Sequence, residues 1–329
     1  MRFDGFSAAA KAVWAKSGDP AGHGLLAHML DVASVAERLL LREPPGSLLR
    51  ASAAFGLPEV SASRIIAACG GLYDIGKAIA GFQTKWPQGQ AADEAAGLQF
   101  PAHLLAADQH DLASAYELRR LLQPHFGDLA PALAGAVAAH HGHFFDSHQV
   151  AAARRPGEPP AWAEVRAEIF ANYIATLMPH RTEAPRCAGA EAPGLPVLAW
   201  LAGLTSVADW IGSNTDWFSP GERAASLMEH HARSLQLADD ALDAIGWPPH
   251  QSLLPGAANT DELIARIVGQ AVLAARPLQT AADALLQFAD SPVLLIVEAP
   301  MDEGKTELAL LATTTAYVAT EKRRRMKAV

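Results

Sequence analysis

The sequence of 329 residues has little cysteine, no excess of positive charge and no long hydrophobic run. Its two cysteines, Cys69 and Cys187, form no CxxC pair, which excludes a disulfide framework and favours a reducing compartment. The formal net charge of −9 argues against general electrostatic binding of nucleic acid, but it leaves room for a site where cations offset carboxylates. The first twenty residues lack an apolar signal core. We therefore expect a cytoplasmic protein with no membrane partner.

Apolar residues make up 50% of the chain and charged residues 19%, so the sequence can bury a sizeable core, and its length predicts about two domains. Most of the chain shows helical periodicity. In "GHGLLAHMLDVASVAERLLL", for example, Leu25, His28, Val32, Val35 and Leu39 share one face of a helix. Almost nothing in this part alternates with period 2. The pattern predicts a mainly α fold, a helical bundle over roughly residues 1–250.

The character of the sequence changes after "GWPPHQSLLPGAANT" (246–260). A helical stretch is followed by "SPVLLIVEAPMDEGKTELALLA", which reads as a continuous apolar run, a turn and a helix. That order predicts a buried parallel strand that opens a short C-terminal α/β fragment over residues 251–329.

Histidines and aspartates interrupt several of the predicted helices, although one buried histidine taken alone is usually a satisfied core residue. Buried imidazoles and carboxylates cost several kcal/mol when they lack partners, and a shared metal would satisfy them together. The mixed nitrogen and oxygen donors favour Mn, Fe, Co, Ni or Zn over Mg or Ca, and a bridging carboxylate would suit two ions. The candidate ligands are His28, Asp74, His110, His140, His141 and Asp209. Lys77 lies one turn from Asp74 as a candidate cation for a scissile phosphate, although a solvated lysine is an equal alternative.

Five segments resemble one family in their order and spacing: "HMLDVASVA", "YDIGKAIAGFQ", "QHDLASAYEL", "AAHHGH" and "SVADWIGSN". They resemble the HD nuclease domain of the CRISPR-associated helicase–nuclease of type I systems, over about residues 20 to 215. "RPLQTAADAL" followed by "LLIVEAPMDEGKTELAL" is similar to the start of the superfamily 2 helicase domain, a RecA-like fold, that follows in that family. The resemblance thus implies an HD-domain helical bundle over 1–250 and a truncated helicase start over 251–329.

The resemblance also implies function and site residues. One ion would be held by His28, the residue at 73, Asp74 and Asp209, and a second by Asp74, His110, His140 and His141. With two divalent transition-metal ions (Mn, Fe, Co or Ni), the protein would cut single-stranded DNA when recruited to a type I CRISPR effector complex, beside a separate helicase chain where one exists. Asp74 and Lys77 would act in catalysis, while Ser213 and Asn214 would contact the DNA backbone. Six further histidines without a motif partner are expected on the surface: His143, His148, His180, His230, His231 and His250.

Two positions depart from the family pattern. Tyr73 stands where the family carries the histidine of its HD dyad, and a phenol with a pKa near 10 is a poor ligand at neutral pH. Asp302 stands where a phosphate-binding loop usually has glycine, ahead of an intact Gly304–Lys305–Thr306. With Gln279, these three residues are the candidate nucleotide-binding set. ATP with Mg²⁺ would be bound only by a complete helicase domain, so helicase or ATPase activity is not expected from this chain.

Three functions remain open from the sequence. The first is the nuclease, weakened at one ion by Tyr73. The second is a catalytically silent remnant that docks on a partner, and the third is an HD phosphohydrolase that acts on nucleotides.

Overall fold

The computed structural model describes residues 3–18, 22–178, 193–250, 259–287 and 294–313. Cys187, His180 and the basic tail "EKRRRMKAV" lie outside these ranges. The chain divides into two compact units, Met1–Pro249 and His250–Val329.

The described part of the first unit is mainly helical. Its α-helices are α1 (Ala8–Ala12), α2 (Leu25–Arg42), α3 (Pro45–Phe55), α4 (Glu59–Gly71), α5 (Ala80–Gln83), α6 (Pro87–Ala95), α7 (His110–Phe126), α8 (Ala130–Ala138), α9 (Ser147–Ala152), α10 (Pro160–Leu177), α11 (Leu195–Gly212) and α12 (Leu227–Ala244). Short 3₁₀ turns cover Leu72–Lys77, Ala102–Leu104, Gly127–Leu129 and Ala139–His141. Two short strands, β1 (Trp14–Lys16) and β2 (His23–Gly24), pair in antiparallel register beside α2.

Helix α2 lies at the centre of the bundle. It packs against α4, α11 and α12, and its side chains are buried around nearly the whole circumference. The periodicity predicted one apolar face, but the polar Asp31 is also fully buried, because α12 covers a further side of the helix. A helix surrounded in this way places polar side chains inside the core, where they need partners.

The path of the chain changes at two points that matter for the site. After α4 the backbone tightens into the 3₁₀ turn Leu72–Lys77, which packs against α7. After α8 it tightens again over Ala139–His141 and leaves the turn through Gly142 at φ +84°, which is readily adopted only by glycine. The first turn therefore buries six consecutive residues, and the second buries Ala139 and His140 while His141 stays exposed.

In the second unit the described helices are α13 (Thr260–Val268), α14 (Pro277–Gln287) and α15 (305–313). The predicted buried strand is wrong for the residues that can be described, since 294–300 adopt no strand, and Leu294 and Ile296 are largely exposed. A strand needs a neighbour to accept its backbone hydrogen bonds. Within the described ranges, this unit contains no other strand to supply them.

Helix α11 is also long and apolar enough to cross a membrane by length and composition alone. It packs against α2 and α8, and 33% of its residues are buried. No other helix among the described residues passes the same test.

Candidate metal centre

The centre is formed where α2, α11, the first turn of α7 and the two inward 3₁₀ turns meet. Each of these elements contributes a side chain that the sequence singled out. The residues brought together are His28, Tyr73, Asp74, Lys77, His110, His140, His141 and Asp209.

Gly76 allows the turn that carries Asp74 to touch the start of α7. A Cβ atom at this position would lie 2.0 Å from the carbonyl oxygen of His110 and 2.4 Å from the backbone nitrogen of Ser114. The Gly76 N–H donates to Oγ of Ser114 (2.8 Å), and that hydroxyl donates to the carbonyl oxygen of Tyr73 (2.6 Å). Ser114 was not among the residues predicted from the sequence. Its contacts fix the distance between the aspartate and the imidazole of His110.

Three histidines form an imidazole cluster beside Asp74. His110, His140 and His141 each offer a nitrogen, and the three nitrogens lie within 4.8 Å of one another. Nε2 of His110 is 3.4 Å from Oδ1 of Asp74. Nitrogens on a single ion with bonds of roughly 2.1 Å are at most about 4.2 Å apart, so the rings need to close by less than about 1 Å.

The protonation states in the cluster suit a metal. Nδ1 of His140 lies 3.2 Å from the carbonyl oxygen of Val137, which fixes the proton on that nitrogen. Nε2 of His140 is buried and has no hydrogen-bond partner. Burial, together with Lys77 and His140, lowers the pKa of His110 to about 4 against the attraction of Asp74. The pKa of His140 is also lowered, mainly by burial, so these two imidazoles are neutral at neutral pH.

Tyr73 occupies the other side of Asp74. Its hydroxyl donates to Oδ1 of Asp209 at 2.6 Å, and Nε2 of His28 lies 2.6 Å from the same phenol oxygen. Nε2 of His28 is also 3.1 Å from Oδ2 of Asp74. Burial and the charges of Asp74 and Asp209 raise the pKa of Tyr73 well above its usual value. The phenol is therefore neutral and bridges two of the residues that the resemblance assigns to a metal.

Lys77 is buried, which rules out the solvated alternative. Its Nζ lies 2.6 Å from Oδ2 of Asp74 and donates to the carbonyl oxygen of Ala15 at 3.2 Å. The side chain is 6% exposed. Burial by itself would raise the pKa of Asp74, but the Lys77 ammonium and the His28 imidazole outweigh it and hold that pKa well below its usual value. Oδ1 of Asp74 makes no hydrogen bond and faces the imidazole cluster.

The two residues predicted to contact DNA make local contacts after α11. The hydroxyl of Ser213 donates to Oδ1 of Asp209 at 2.5 Å, which helps to orient that carboxylate. Oδ1 of Asn214 accepts from the backbone N–H of Asp216 at 2.9 Å and so shapes the following turn.

A second buried polar cluster surrounds Asp31, and no motif in the sequence indicated it. Both oxygens of Asp31 are engaged by Arg223 (2.6 and 2.9 Å), and one of them also lies 2.9 Å from Nε2 of His23. His230 contacts the other oxygen at 3.2 Å. The expectation that His230 and His231 lie on the surface is wrong, because α12 buries both of them against the bundle. His143 and His148 are exposed as predicted.

In the second unit the predicted nucleotide-binding residues line one cavity of about 680 Å³. Nε2 of Gln279 donates to the carbonyl oxygen of Gly304 at 3.2 Å. Thr306 also lines the cavity, and Nζ of Lys305 donates to the carbonyl oxygens of Ala299 and Pro300, each at 2.6 Å. The Lys305 side chain is thus hydrogen-bonded to the backbone of its own loop.

Asp302 adopts φ +64° and is the one non-glycine residue with positive φ in the described ranges. Glycine visits this conformation freely, whereas a side chain there is strained. The departure noted in the sequence therefore coincides with a strained point of the loop.

Comparison with known proteins gives the family of the chain. The family model described as "Cas3, HD domain" matches residues 14–218, which include every residue of the candidate centre. The CRISPR-associated endonuclease/helicase Cas3 of Thermus thermophilus is 39% identical over 312 residues, which cover 92% of this chain and 32% of that protein. The chain thus spans about a third of the length of this curated relative.

Solved structures show the same similarity. The T. thermophilus Cas3 HD domain, crystallised in the presence of Ni²⁺, is 34% identical with a TM-score of 0.54, over 74% of this chain and 93% of that one. A CRISPR-associated protein is 29% identical with a TM-score of 0.76, and the match covers 94% of this chain and 35% of that one. Cas3 from T. fusca with ATP is 25% identical with a TM-score of 0.73, and the match covers 97% of this chain and 35% of that one. On the match to residues 14–218 and the identity to a Cas3 protein, this chain belongs to the Cas3 HD domain family.

Proposed function

We propose that this protein is a metal-dependent nuclease that cuts single-stranded DNA during type I CRISPR interference. The observation that carries the proposal is the imidazole cluster of His110, His140 and His141 beside the free oxygen of Asp74, within the residues that match the Cas3 HD family. The family membership supports a nuclease role. The metal dependence and the DNA substrate are our inference from the donor set and from the relatives.

The residues present fit a divalent ion at the imidazole cluster. Nε2 of His140 is a buried nitrogen without a hydrogen-bond partner, and Oδ1 of Asp74 is a buried carboxylate oxygen without a hydrogen bond. His110 and His141 complete a donor set that suits Mn, Fe, Co or Ni. Bound there, such an ion would supply Lewis acidity that activates water and stabilises the negative charge developing on a phosphodiester.

The chain's own residues hold these donors in place. Lys77 keeps Asp74 ionised and fixes one of its oxygens, so that the other points toward the cluster. We assign Lys77 this positioning role in place of direct contact with DNA, because its ammonium is buried between Asp74 and Ala15. Ser213 and Asn214 lie at the end of α11 beside Asp209, and we propose that this turn meets the DNA backbone.

The partner proposed for this chain is a type I CRISPR effector complex that exposes single-stranded DNA. Support comes from the curated relative, whose name describes a CRISPR-associated endonuclease and helicase. We likewise propose that residues 251–329 form the start of a nucleotide-binding helicase domain, supported by the cavity that Gln279, Lys305 and Thr306 line.

A second candidate function is a silent protein that docks on the same partners without chemistry. The observation in its favour is Tyr73, whose neutral hydroxyl bridges His28 and Asp209 where the resemblance implies a metal. The same partners would be bound in either case, so only chemistry and metal content separate the two functions.

Cleavage of a circular single-stranded DNA tests the proposal. We expect the full chain to linearise and degrade the circle with Mn²⁺, Co²⁺ or Ni²⁺ and to be inactive with a chelator. His140→Ala should lower the rate by more than about 100-fold, because removal of a metal ligand costs more than removal of an outer partner. His143→Ala changes an exposed histidine three residues away and should leave the rate unchanged. No cleavage by the parent chain with any of the three metals would favour the docking function.

A further inference from the structure

The pocket between His28, Asp74 and Asp209 is already filled by groups of the chain. Nε2 of His28 and Oδ1 of Asp209 are 4.0 Å apart, and the Tyr73 hydroxyl oxygen lies 2.6 Å from each. An ion about 2.1 Å from both atoms would lie within about 2.3 Å of that oxygen, at or inside bonding distance. The hydroxyl proton is directed at Asp209, so the phenol and an ion would compete for the same carboxylate oxygen.

The charges in this pocket are also balanced without a metal. Nζ of Lys77 covers Oδ2 of Asp74 at 2.6 Å, and Nζ of Lys16 lies 3.9 Å from Oδ1 of Asp209. Two carboxylates therefore face two ammonium groups.

The imidazole side of Asp74 has the opposite character. Oδ1 of Asp74 and Nε2 of His140 are both buried without hydrogen-bond partners, and the nearest cationic side chain to Asp74 lies on its Oδ2. The same aspartate thus has one oxygen in contact with a lysine and the other facing the imidazole cluster of His110, His140 and His141.

From this contrast we infer that the Tyr73 hydroxyl closes the first metal position, and that the protein binds a single divalent ion on the imidazole cluster. The inference rests on the proposed function, because it takes the cluster to be a metal site. It makes Tyr73 the group that fills this pocket and links His28 to Asp209. Tyr73 and Lys77 would keep Asp74 and Asp209 ordered whether or not metal is bound.

Metal counting on the full chain tests this inference. Chelator-treated protein is titrated with Mn²⁺ in a calorimeter, and the metal retained after gel filtration is measured by elemental analysis. We expect one ion per chain for the parent, two for Tyr73→His and none for His140→Ala. The double variant Tyr73→His with His140→Ala should bind one ion again, now on the side of His28.

The outcomes separate this inference from the proposed function. Two ions in the parent chain, or one ion that survives His140→Ala, would overturn the closure of the first position. No ion in the parent but one in Tyr73→His would support the closure and contradict the imidazole site on which the proposed function depends. The parent and His140→Ala counts decide the matter even where Tyr73→His fails to fold, which circular dichroism would reveal.

Discussion

Nε2 of His110 lies 3.4 Å from Oδ1 of Asp74, where the turn Leu72–Lys77 crosses the first residue of α7. This distance joins the carboxylate of one element to the imidazole cluster of two others. The distance depends on how closely the turn approaches the helix, and Gly76, which has no side chain, allows that approach.

The first prediction concerns that residue, Gly76. Gly76→Ala would place a methyl group 2.0 Å from a backbone carbonyl of α7, which cannot move alone, so the turn must shift away. We expect a loss of about 2 to 3 kcal/mol in the free energy of unfolding, measured with urea. Mn²⁺ affinity should fall as well, because the shift of the turn increases the distance between Asp74 and His110.

Gly135→Ala is the matched control for this prediction. Gly135 lies inside α8, and an added Cβ meets nothing within 4 Å. Alanine there should raise the unfolding free energy by about 0.5 to 1 kcal/mol. Equal destabilisation by both substitutions would show that the Gly76 contact does not matter.

The second prediction concerns pH and His231. Burial, aided by Arg64 and His230, lowers the pKa of His231 to about 4 in the folded protein, against about 6.5 when unfolded. The unfolded chain therefore binds more protons between these values, so stability is full above about pH 6.5 and falls as pH drops toward 4. We expect this histidine to contribute about 1 to 3 kcal/mol of the loss.

The test compares urea unfolding at pH 7 and pH 4.5 for the parent, His231→Leu and His143→Leu. The first variant should show a shallower dependence on pH, while the second replaces an exposed histidine and should keep the parent slope. If His231→Leu loses as much unfolding free energy between pH 7 and pH 4.5 as the parent does, other groups cause the whole pH dependence of stability.

The third prediction concerns the buried cluster at Asp31. Arg223→Ala removes the guanidinium that contacts both oxygens of Asp31 and leaves a buried carboxylate with less compensation. We expect a loss of about 3 to 5 kcal/mol in unfolding free energy. Lys85→Ala breaks an exposed pair with Asp108 and should cost less than about 1 kcal/mol. Similar losses in the two variants would contradict a structural role for the Asp31 cluster.

The fourth prediction concerns the loop in the second unit. Asp302→Gly relieves a residue held at φ +64° and removes a carboxylate from the cavity. We expect this substitution to raise the free energy of unfolding, measured with urea, by about 1 kcal/mol, since left-handed backbone costs a side chain about that much. Asp302→Asn removes the charge and keeps the side chain, so it should give a smaller gain. Equal gains in both variants would assign the effect to charge alone.

Much of the centre could be predicted from the sequence, because its residues stand in short motifs on separate helices. His28, His110, His140 and Asp209 meet around Asp74 or the phenol beside it, as the motif order implies. The helical character of the bundle could be predicted for a similar reason, since most of its helices carry their own periodic pattern.

The rest depends on contacts between residues far apart in the chain. The motif could show that Tyr73 replaces a histidine, but not that its hydroxyl would bridge His28 and Asp209. His230 is buried because it reaches Asp31, which lies about two hundred residues earlier. The predicted strand near Leu294 failed because an apolar run does not reveal whether a neighbouring strand is there to pair with it.

The most direct test of the single-ion centre is anomalous diffraction from crystals of the parent chain grown with Mn²⁺. We predict one anomalous peak, bound by Nε2 of His140, Oδ1 of Asp74 and the nitrogens of His110 and His141. We also predict that the Tyr73 hydroxyl remains between His28 and Asp209. A peak between His28, Asp74 and Asp209, or no peak at the imidazole cluster, would contradict the single-ion centre.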